Sequence, residues 1–358
     1  MLAYLYWDPK PEVFFLPVVD WPILWYGALF ALGFAIGFPI FVGILTRFFF
    51  QRPEFEEREL KGEFGEPRLA LASKKGRAAL AAALNDWMVS EEEAIDFHLL
   101  PKEAHLATCS LHPQKALRRL KLEHLFEKGI LSLKKQAIQL TDRLTVYMVI
   151  ATVLGARIGH LLFYEKPASY LNNPIEVIQI WEGGLASHGA AVGIVLGLWL
   201  FSYRHRVRGL TLLHLLDFVA VPTALAGTFI RVGNFFNQEV LGTPTDLPWA
   251  VLFGHPADHS LPIPRHPAQL YEALFYLAVF FILWRLSFRP KYLLEEGKLI
   301  GLFLILVFGF RFFVEFYKVE QSRLIPTFLD LTMGQILSIP AVIAGIWLFF
   351  IRVRHKCS

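Results

Sequence analysis

The sequence contains few cysteines and few charged residues. Its two cysteines, Cys109 and Cys357, lie far apart without CxxC spacing, so neither a disulfide framework nor a zinc site is expected. Charged residues make up 18% of the 358-residue chain, against roughly a quarter in soluble domains. The net charge is only +4, and the basic residues are not gathered on one face. These features argue against a soluble globular domain and against a nucleic-acid-binding protein.

Long apolar segments are abundant instead. The chain is 55% hydrophobic, with a mean hydropathy of +0.44. A helix of about 20 residues rises far enough to cross the hydrocarbon core of a bilayer. We therefore predict an all-α integral membrane protein with about seven transmembrane helices. The predicted spans are Pro22–Thr46, Leu144–Tyr164, Gly184–Tyr203, Leu212–Ile230, Ala268–Leu286, Leu299–Tyr317 and Met333–Ile351.

Basic residues predict the orientation of these spans. Clusters of Lys and Arg follow the first, third, fifth and seventh spans, and another precedes the second. In a seven-span arrangement all of these clusters lie on one side, which the positive-inside rule assigns to the cytoplasm. The N-terminus is then outside and the C-terminus cytoplasmic. The first apolar segment has no basic region ahead of it, so we interpret it as a permanent span and not a cleavable signal.

A long polar insert separates the first two spans. We divide the chain into residues 1–51, with the first span and an outer N-terminal segment; residues 52–140, the cytoplasmic insert; and residues 141–358, a six-span membrane core. Within the insert, Lys115–Lys128 places leucines at helical spacing among charges, which is typical of an amphipathic helix. The insert is expected to be helical or partly disordered, and its role is left open.

Ionisable side chains within spans are candidates for function because they are costly in the bilayer. Arg157, Asp217 and Arg231 are three such residues. Arg311 and Glu315, four residues apart, would share one face of the sixth span and could form an ion pair there. Such a pair could be purely structural, but arginine retains donors that can also bind a phosphate.

A histidine stands between small residues where the third span begins. The segment WEGGLASHGAAVG contains His188, and its glycines leave room for a bulky substrate. A neutral imidazole can take a proton from a thiol near neutral pH. The alternative is that His188 is a satisfied core residue, and the sequence leaves open whether it is the general base.

The most polar segment at a span end is RVGNFFNQEVLG, at Arg231–Gly242. It supplies the Arg231 guanidinium, two carboxamides and a carboxylate, and a phosphodiester headgroup suits such a set. The predicted substrate-binding residues here are Arg231, Asn234, Asn237, Glu239 and Gly242. A second polar run, PRHPAQLYE, opens the fifth span at Pro264–Glu272.

Several of these segments together resemble one known family, the prolipoprotein diacylglyceryl transferases. RVGNFFNQEVLG resembles the family signature, and further blocks occur in the family's order. These blocks are WYG, GARIGHLLFY, WEGGLASHG, PRHPAQLYE, FRFFVEFYK and LTMGQILSIP. They span most of the chain outside the insert, for which we recognise no family counterpart. Where the family commonly has a tyrosine after GARIG, this chain has His160.

The resemblance implies a reaction and roles for individual residues. His188, Arg231 and Arg311 match the family's catalytic histidine and arginines, and the remaining matches are Tyr26, Asn234, Glu239, Gly242 and Glu315. The implied reaction moves the diacylglyceryl group of phosphatidylglycerol to the lipobox cysteine of a prolipoprotein in the bacterial cytoplasmic (inner) membrane. No metal or organic cofactor is implied.

A second class of function is a transporter or flippase for an anionic lipid or solute. Buried arginines would serve that function equally well. Such proteins typically carry inverted repeats and broken helices, and we find no convincing repeat between the two halves of the sequence.

Overall fold

A computed structural model describes the parts of the chain that form the membrane core. The described residues are 4–16, 21–51, 123–164, 184, 186–205, 209–319 and 331–351. Most of the predicted insert, including residues 115–122 of its predicted amphipathic helix, lies outside them. Among the described residues the structure is mainly helical, as the apolar spans predict.

Long helices follow one another along the chain. They are α1 (Trp25–Phe50), α2 (Glu123–Phe163), α3 (Ser187–His205), α4 (Leu212–Phe236), α5 (Ala268–Leu286), the short α6 (Pro290–Leu294), α7 (Lys298–Val314) and α8 (Met333–Ile346). A 3-10 turn, Glu315–Tyr317, continues α7, and a π-helical turn, Trp347–Ile351, continues α8. Six helical segments among the described residues, all but α3 and α6, are long and apolar enough to cross a membrane.

The predicted third span corresponds to α3. This helix has 19 residues, but His188 near its start and Arg204 and His205 at its end make it less apolar than the other six. The seven-span arrangement, with its orientation, therefore stays a prediction.

Helix α2 extends across the predicted boundary between insert and core. Its 41 residues form one continuous helix of about 60 Å, roughly twice the thickness of a bilayer core. The apolar part begins at Gln136, not at Leu144 as predicted. The end of the insert, placed at residue 140, thus lies inside a helix and not at a break in the chain.

Short strands lie outside the long helices. β1 (Leu5–Trp7), β4 (Val251–Phe253) and β5 (Pro264–Arg265) form one sheet, in which β1 is parallel and β5 antiparallel to β4. A separate antiparallel pair comprises β2 (Glu12–Leu16) and β3 (Trp21–Leu24), just before α1. The expectation of an all-α protein thus holds for the spans but omitted these strands.

The chain divides into two compact units. The first comprises Met1–Phe41 and Asp217–Ser358, and the second comprises Val42–Leu216. In the first unit Asp217 accepts backbone N–H groups of Gly297 and Ile300, at 2.7 Å each. The carboxylate therefore satisfies otherwise unpaired donors at the start of α7. This candidate for function has a structural role.

In the second unit α2 and α3 approach through glycines. A Cβ on Gly155 would lie 2.8 Å from the Gly193 Cα, and one on Gly159 would lie 2.7 Å from the Gly189 Cα. Rows of glycine permit such close backbone packing where lipid provides no hydrophobic drive. Arg157, also on α2, donates to the Gly184 carbonyl at 3.2 Å. The glycines that meet are spaced four residues apart on each helix, so they lie on one face of α2 and one face of α3.

Candidate functional site

Arg231 is located in the last turns of α4. Its Nε lies 3.1 Å from Oε2 of Glu272, and its Nη1 donates to Oδ1 of Asn234 at 3.2 Å. Asn234 is three residues further on, hence on the same helical face. The Arg231 side chain is 15% exposed, and its remaining N–H groups can bind further oxygen atoms.

The signature segment folds back on itself where α4 ends. Asn234 and Asn237 both donate side-chain N–H groups to Oε1 of Glu239, at 2.8 and 3.2 Å. Gln269 of α5 donates to the Glu239 carbonyl at 2.7 Å. The predicted polar residues of this segment therefore come together, with Glu239 held by two carboxamides and linked through Asn234 to Arg231.

Gly242 closes the same segment at a tight backbone contact. It forms an isolated antiparallel bridge with Lys318, and a Cβ on it would lie 2.7 Å from the His266 Cβ and 2.9 Å from the His266 carbonyl carbon. Only glycine fits at this approach without a backbone shift. Its contribution is to shape the chain around the site and not to provide a side chain.

Tyr26 lies in the first turn of α1, within the same unit. A Cβ on Gly233 would lie 2.8 Å from the Tyr26 ring, so the ring packs directly on the backbone of α4. This predicted substrate-binding residue therefore lies beside the signature segment.

Glu272, the last residue of PRHPAQLYE, is a functional candidate that was not among the site residues predicted from the sequence. Its side chain is fully buried in α5. Besides Arg231, it contacts Lys318, whose Nζ lies 2.9 Å from Oε2, and Tyr276, whose hydroxyl donates to Oε1 at 3.1 Å. Its position inside an apolar span was the signal that could have identified it.

Glu315 pairs differently from the prediction. Its Oε2 lies 3.4 Å from Nζ of Lys318, and among the described residues no salt bridge joins it to Arg311. The helical spacing of the two residues is retained, because the Glu315 backbone N–H donates to the Arg311 carbonyl. It is the Glu315 side chain that contacts Lys318 instead of Arg311. Burial lowers the pKa of the Lys318 ammonium, and the Glu272 carboxylate opposes that shift. Lys318, the final residue of FRFFVEFYK, is therefore a second member of the cluster that was not predicted from the sequence.

Arg311 lies in the last turn of α7 and is partly exposed. The binding of one anion by Arg231 and Arg311, eighty residues apart in sequence, stays a prediction.

His188 belongs to the second unit, at the start of α3. Its exposed imidazole contacts the rings of Phe163 and Tyr164, with centroids 5.2 and 5.7 Å away. The backbone of Ala186, just before α3, donates to the Ala156 carbonyl at 2.9 Å and fixes this end of α3 against α2. The alternative of a satisfied core histidine does not fit this exposure. Whether His188 meets the arginines in one cavity stays a prediction.

These features define the class of protein. Multiple apolar helices, together with a buried cluster of cationic, carboxylate and carboxamide groups at helix ends, indicate a polytopic membrane protein that handles an anionic ligand. The family model of prolipoprotein diacylglyceryl transferase matches residues 120–351. The chain belongs to this family, which confirms the resemblance of its sequence blocks.

Named relatives agree with this membership. The chain is 40% identical to the phosphatidylglycerol–prolipoprotein diacylglyceryl transferase of Protochlamydia amoebophila, over 97% of this chain and 94% of the relative. It is 46% identical to the enzyme of the same name from Tolumonas auensis, over 60% and 80% of the two chains. The Porphyromonas gingivalis enzyme is 42% identical over 61% and 79%.

The extent of these matches bears on the insert. The match to the Protochlamydia relative covers 97% of this chain, so it must include residues of the stretch 52–140. The match to the Protochlamydia relative therefore extends across the insert, for which no family counterpart was recognised in the sequence. The Tolumonas and Porphyromonas relatives match only about 60% of the chain.

Proposed function

We propose that this protein transfers the diacylglyceryl group of phosphatidylglycerol to the lipobox cysteine thiol of prolipoproteins. The observation that carries this proposal is the geometry of Arg231. Glu272 and Asn234 hold its guanidinium on two sides, and the remaining N–H groups can bind a phosphodiester in bidentate fashion. Membership of the transferase family supplies the reaction class.

The reaction balances as a substitution at the glyceryl C3 carbon. His188 takes the proton from the cysteine thiol, the thiolate forms a carbon–sulfur bond, and the carbon–oxygen bond to the phosphate breaks. Glycerol 1-phosphate leaves with an additional negative charge. Arg231 and Arg311 stabilise this charge as it develops, which is where preorganised cations accelerate a reaction.

The environment of His188 suits a proton acceptor for a bulky substrate. Its imidazole is exposed, and only glycines and alanines follow it in the first turn of α3. The described contacts of the ring are with the aromatic rings of Phe163 and Tyr164. Among the described residues neither nitrogen forms a hydrogen bond, which suits the acceptance of a proton from a thiol delivered by a signal peptide.

The substrates set the location of the protein. Phosphatidylglycerol is a membrane lipid, and a secreted prolipoprotein presents its lipobox at the outer face of the bacterial cytoplasmic membrane. We therefore assign the protein to that membrane. Tyr26, Asn234, Asn237, Glu239, Gly242 and Glu315 would shape the headgroup site.

A reconstituted assay tests the proposal. Purified protein in nanodiscs containing phosphatidylglycerol is mixed with a synthetic lipobox peptide, and mass spectrometry follows the peptide. We expect a product heavier by one diacylglyceryl group, absent when phosphatidylcholine replaces phosphatidylglycerol or serine replaces the lipobox cysteine. Absence of the product with active-site residues intact would contradict the transferase function. Movement of phosphatidylglycerol between leaflets without product would instead favour a flippase.

A further inference from the structure

Glu272 is a fully buried carboxylate in a helix apolar enough to span a membrane. An ionised group there is costly unless other charges and donors surround it. Its described contacts are Arg231 and Lys318 on Oε2 and Tyr276 on Oε1. All four side chains belong to the first unit. The carboxylate is therefore the centre of this charged cluster.

The two cations share one oxygen atom of Glu272. Nε of Arg231 lies 3.1 Å and Nζ of Lys318 lies 2.9 Å from Oε2, so the two nitrogens are within two hydrogen-bond lengths of each other. Without the intervening carboxylate these cations would repel. Lys318 has a second carboxylate, Glu315 at 3.4 Å, whereas Glu272 is the one carboxylate among the described residues that forms a salt bridge with Arg231.

The position of Glu272 also determines which side of the guanidinium is occupied. Glu272 lies against Nε, and Asn234 accepts from Nη1, so two of the three nitrogens of Arg231 have protein partners. A phosphate requires two parallel N–H groups from one edge of the fork. With Nε facing the buried carboxylate and one N–H of Nη1 donated to Asn234, the second N–H of Nη1 and those of Nη2 remain for the ligand.

We infer that Glu272 is a positioning residue for phosphatidylglycerol: its carboxylate holds Arg231 so that the Nη edge of the guanidinium faces the phosphate. This inference rests on the proposed function, because it takes the phosphate of phosphatidylglycerol as the ligand of Arg231. Glu272 does not touch the lipid. It acts through Arg231, and Lys318 on the same oxygen fixes the carboxylate in turn.

A double-mutant cycle on lipid binding tests this inference. Binding of short-chain phosphatidylglycerol to the full chain in detergent micelles is measured for the wild type, Glu272→Gln, Arg231→Lys and the double variant. We expect Glu272→Gln to weaken binding by about 30-fold, as for the loss of one partner of a buried charge pair. In the Arg231→Lys background the same change should add less than about threefold, since coupled residues are not additive.

The matched control is Glu295→Gln, a partly exposed glutamate 3.7 Å from Lys298. It makes the same chemical change away from the cluster and should leave binding unchanged. Equal losses from Glu272→Gln in the wild-type and Arg231→Lys backgrounds would overturn the inference, because Glu272 would then act independently of Arg231. Unchanged binding in the Glu272→Gln variant would overturn it as well.

A second variant addresses the possibility that Glu272→Gln does not fold. Glu272→Asp keeps the charge but is one methylene shorter, so it cannot reach Arg231 and Lys318 with the native geometry. We expect a folded protein whose KM for phosphatidylglycerol rises while its KM for the lipobox peptide does not. A rise in both KM values, or in neither, would contradict a role specific to Arg231. Because lipid binding is measured without turnover, a wild type that binds the lipid but forms no product would refute the transferase function and not this inference.

Discussion

The regions around Arg231 and His188 differ in the interactions that hold their functional side chains in place. Around Arg231, each charged group is held by another charged or polar side chain, with Glu272 in contact with both Arg231 and Lys318. Around His188, the backbones of α2 and α3 pack glycine on glycine, and the described contacts of the imidazole are aromatic rings. One region fixes its functional group by electrostatics, the other by close packing of the backbone.

This difference indicates how each region should respond to mutation. A preorganised set of charges stabilises a negative charge without having to rearrange, so small geometric changes there should be costly. An exposed imidazole can be removed with little damage to the fold, because it fills no cavity. Substitutions near His188 should therefore separate cleanly into changes of chemistry at the histidine and changes of stability at the glycines.

Replacement of the histidine should have the largest effect. We expect His188→Ala to lower kcat by roughly 10²–10⁴-fold, the usual contribution of a positioned general base. Thermal stability should hardly change, because the side chain is exposed. The control is His160→Tyr, which changes a histidine of α2 into the residue common in the family. A His188→Ala enzyme with nearly normal kcat in the peptide assay would show that another group is the base.

Arg231→Lys should have the next largest effect. Lysine keeps the charge but lacks the fork, so it cannot contact Glu272, Asn234 and a phosphate together. We expect kcat/KM for phosphatidylglycerol to fall by about 30-fold or more, in line with loss of a buried charge-assisted contact. The control is Arg285→Lys, which makes the same change at an exposed position and should leave kcat/KM for phosphatidylglycerol unchanged. If Arg231→Lys lowered kcat/KM only a few-fold, a positive charge without the guanidinium fork would be sufficient for the reaction.

Gly189→Ala should act on stability and not on the chemistry. The added Cβ would meet the carbonyl oxygen of Gly155 and would lie 2.8 Å from the Gly159 Cα, so α2 and α3 must separate. Overpacking of this kind costs about 1–3 kcal/mol, which should appear as a lower Tm in detergent. Gly43→Ala is the matched control, because its Cβ would meet one atom at 3.9 Å. Equal Tm values for the two variants would show that the glycine contact is not tight.

Glu315→Gln should have the smallest effect of the four. Glu315 contacts Lys318, which retains Glu272 as a partner after the substitution. We expect kcat/KM to fall by about fivefold, equivalent to ~1 kcal/mol, and by less than in Arg311→Ala. Measurement of both variants in the peptide assay decides the order. A Glu315→Gln loss as large as that of Arg311→Ala would indicate a direct role for the carboxylate.

Local features of the sequence were predicted well. The cluster of Arg231, Asn234 and Glu239 lies within nine residues, so a helix end followed by a turn is enough to bring it together. The spans followed from their length and apolarity, since a backbone without water must bond internally.

The partners of individual carboxylates were predicted less well. Arg311 and Glu315 were expected to pair from their helical spacing, but the Glu315 carboxylate contacts Lys318 although that spacing is retained. Asp217 was a functional candidate, but the start of α7, eighty residues away, occupies its oxygens.

The sequence by itself determined that the chain lies in a membrane, which of its segments are apolar, and which polar segment is suited to a phosphate. These properties depend on hydrophobicity and on neighbours within a few residues. Only the tertiary structure decided that Glu272 and Lys318 complete the surroundings of Arg231. The reason is physical: a buried charge must be compensated by whichever groups the packing of helices brings within about 4 Å, and sequence distance does not predict which groups those are.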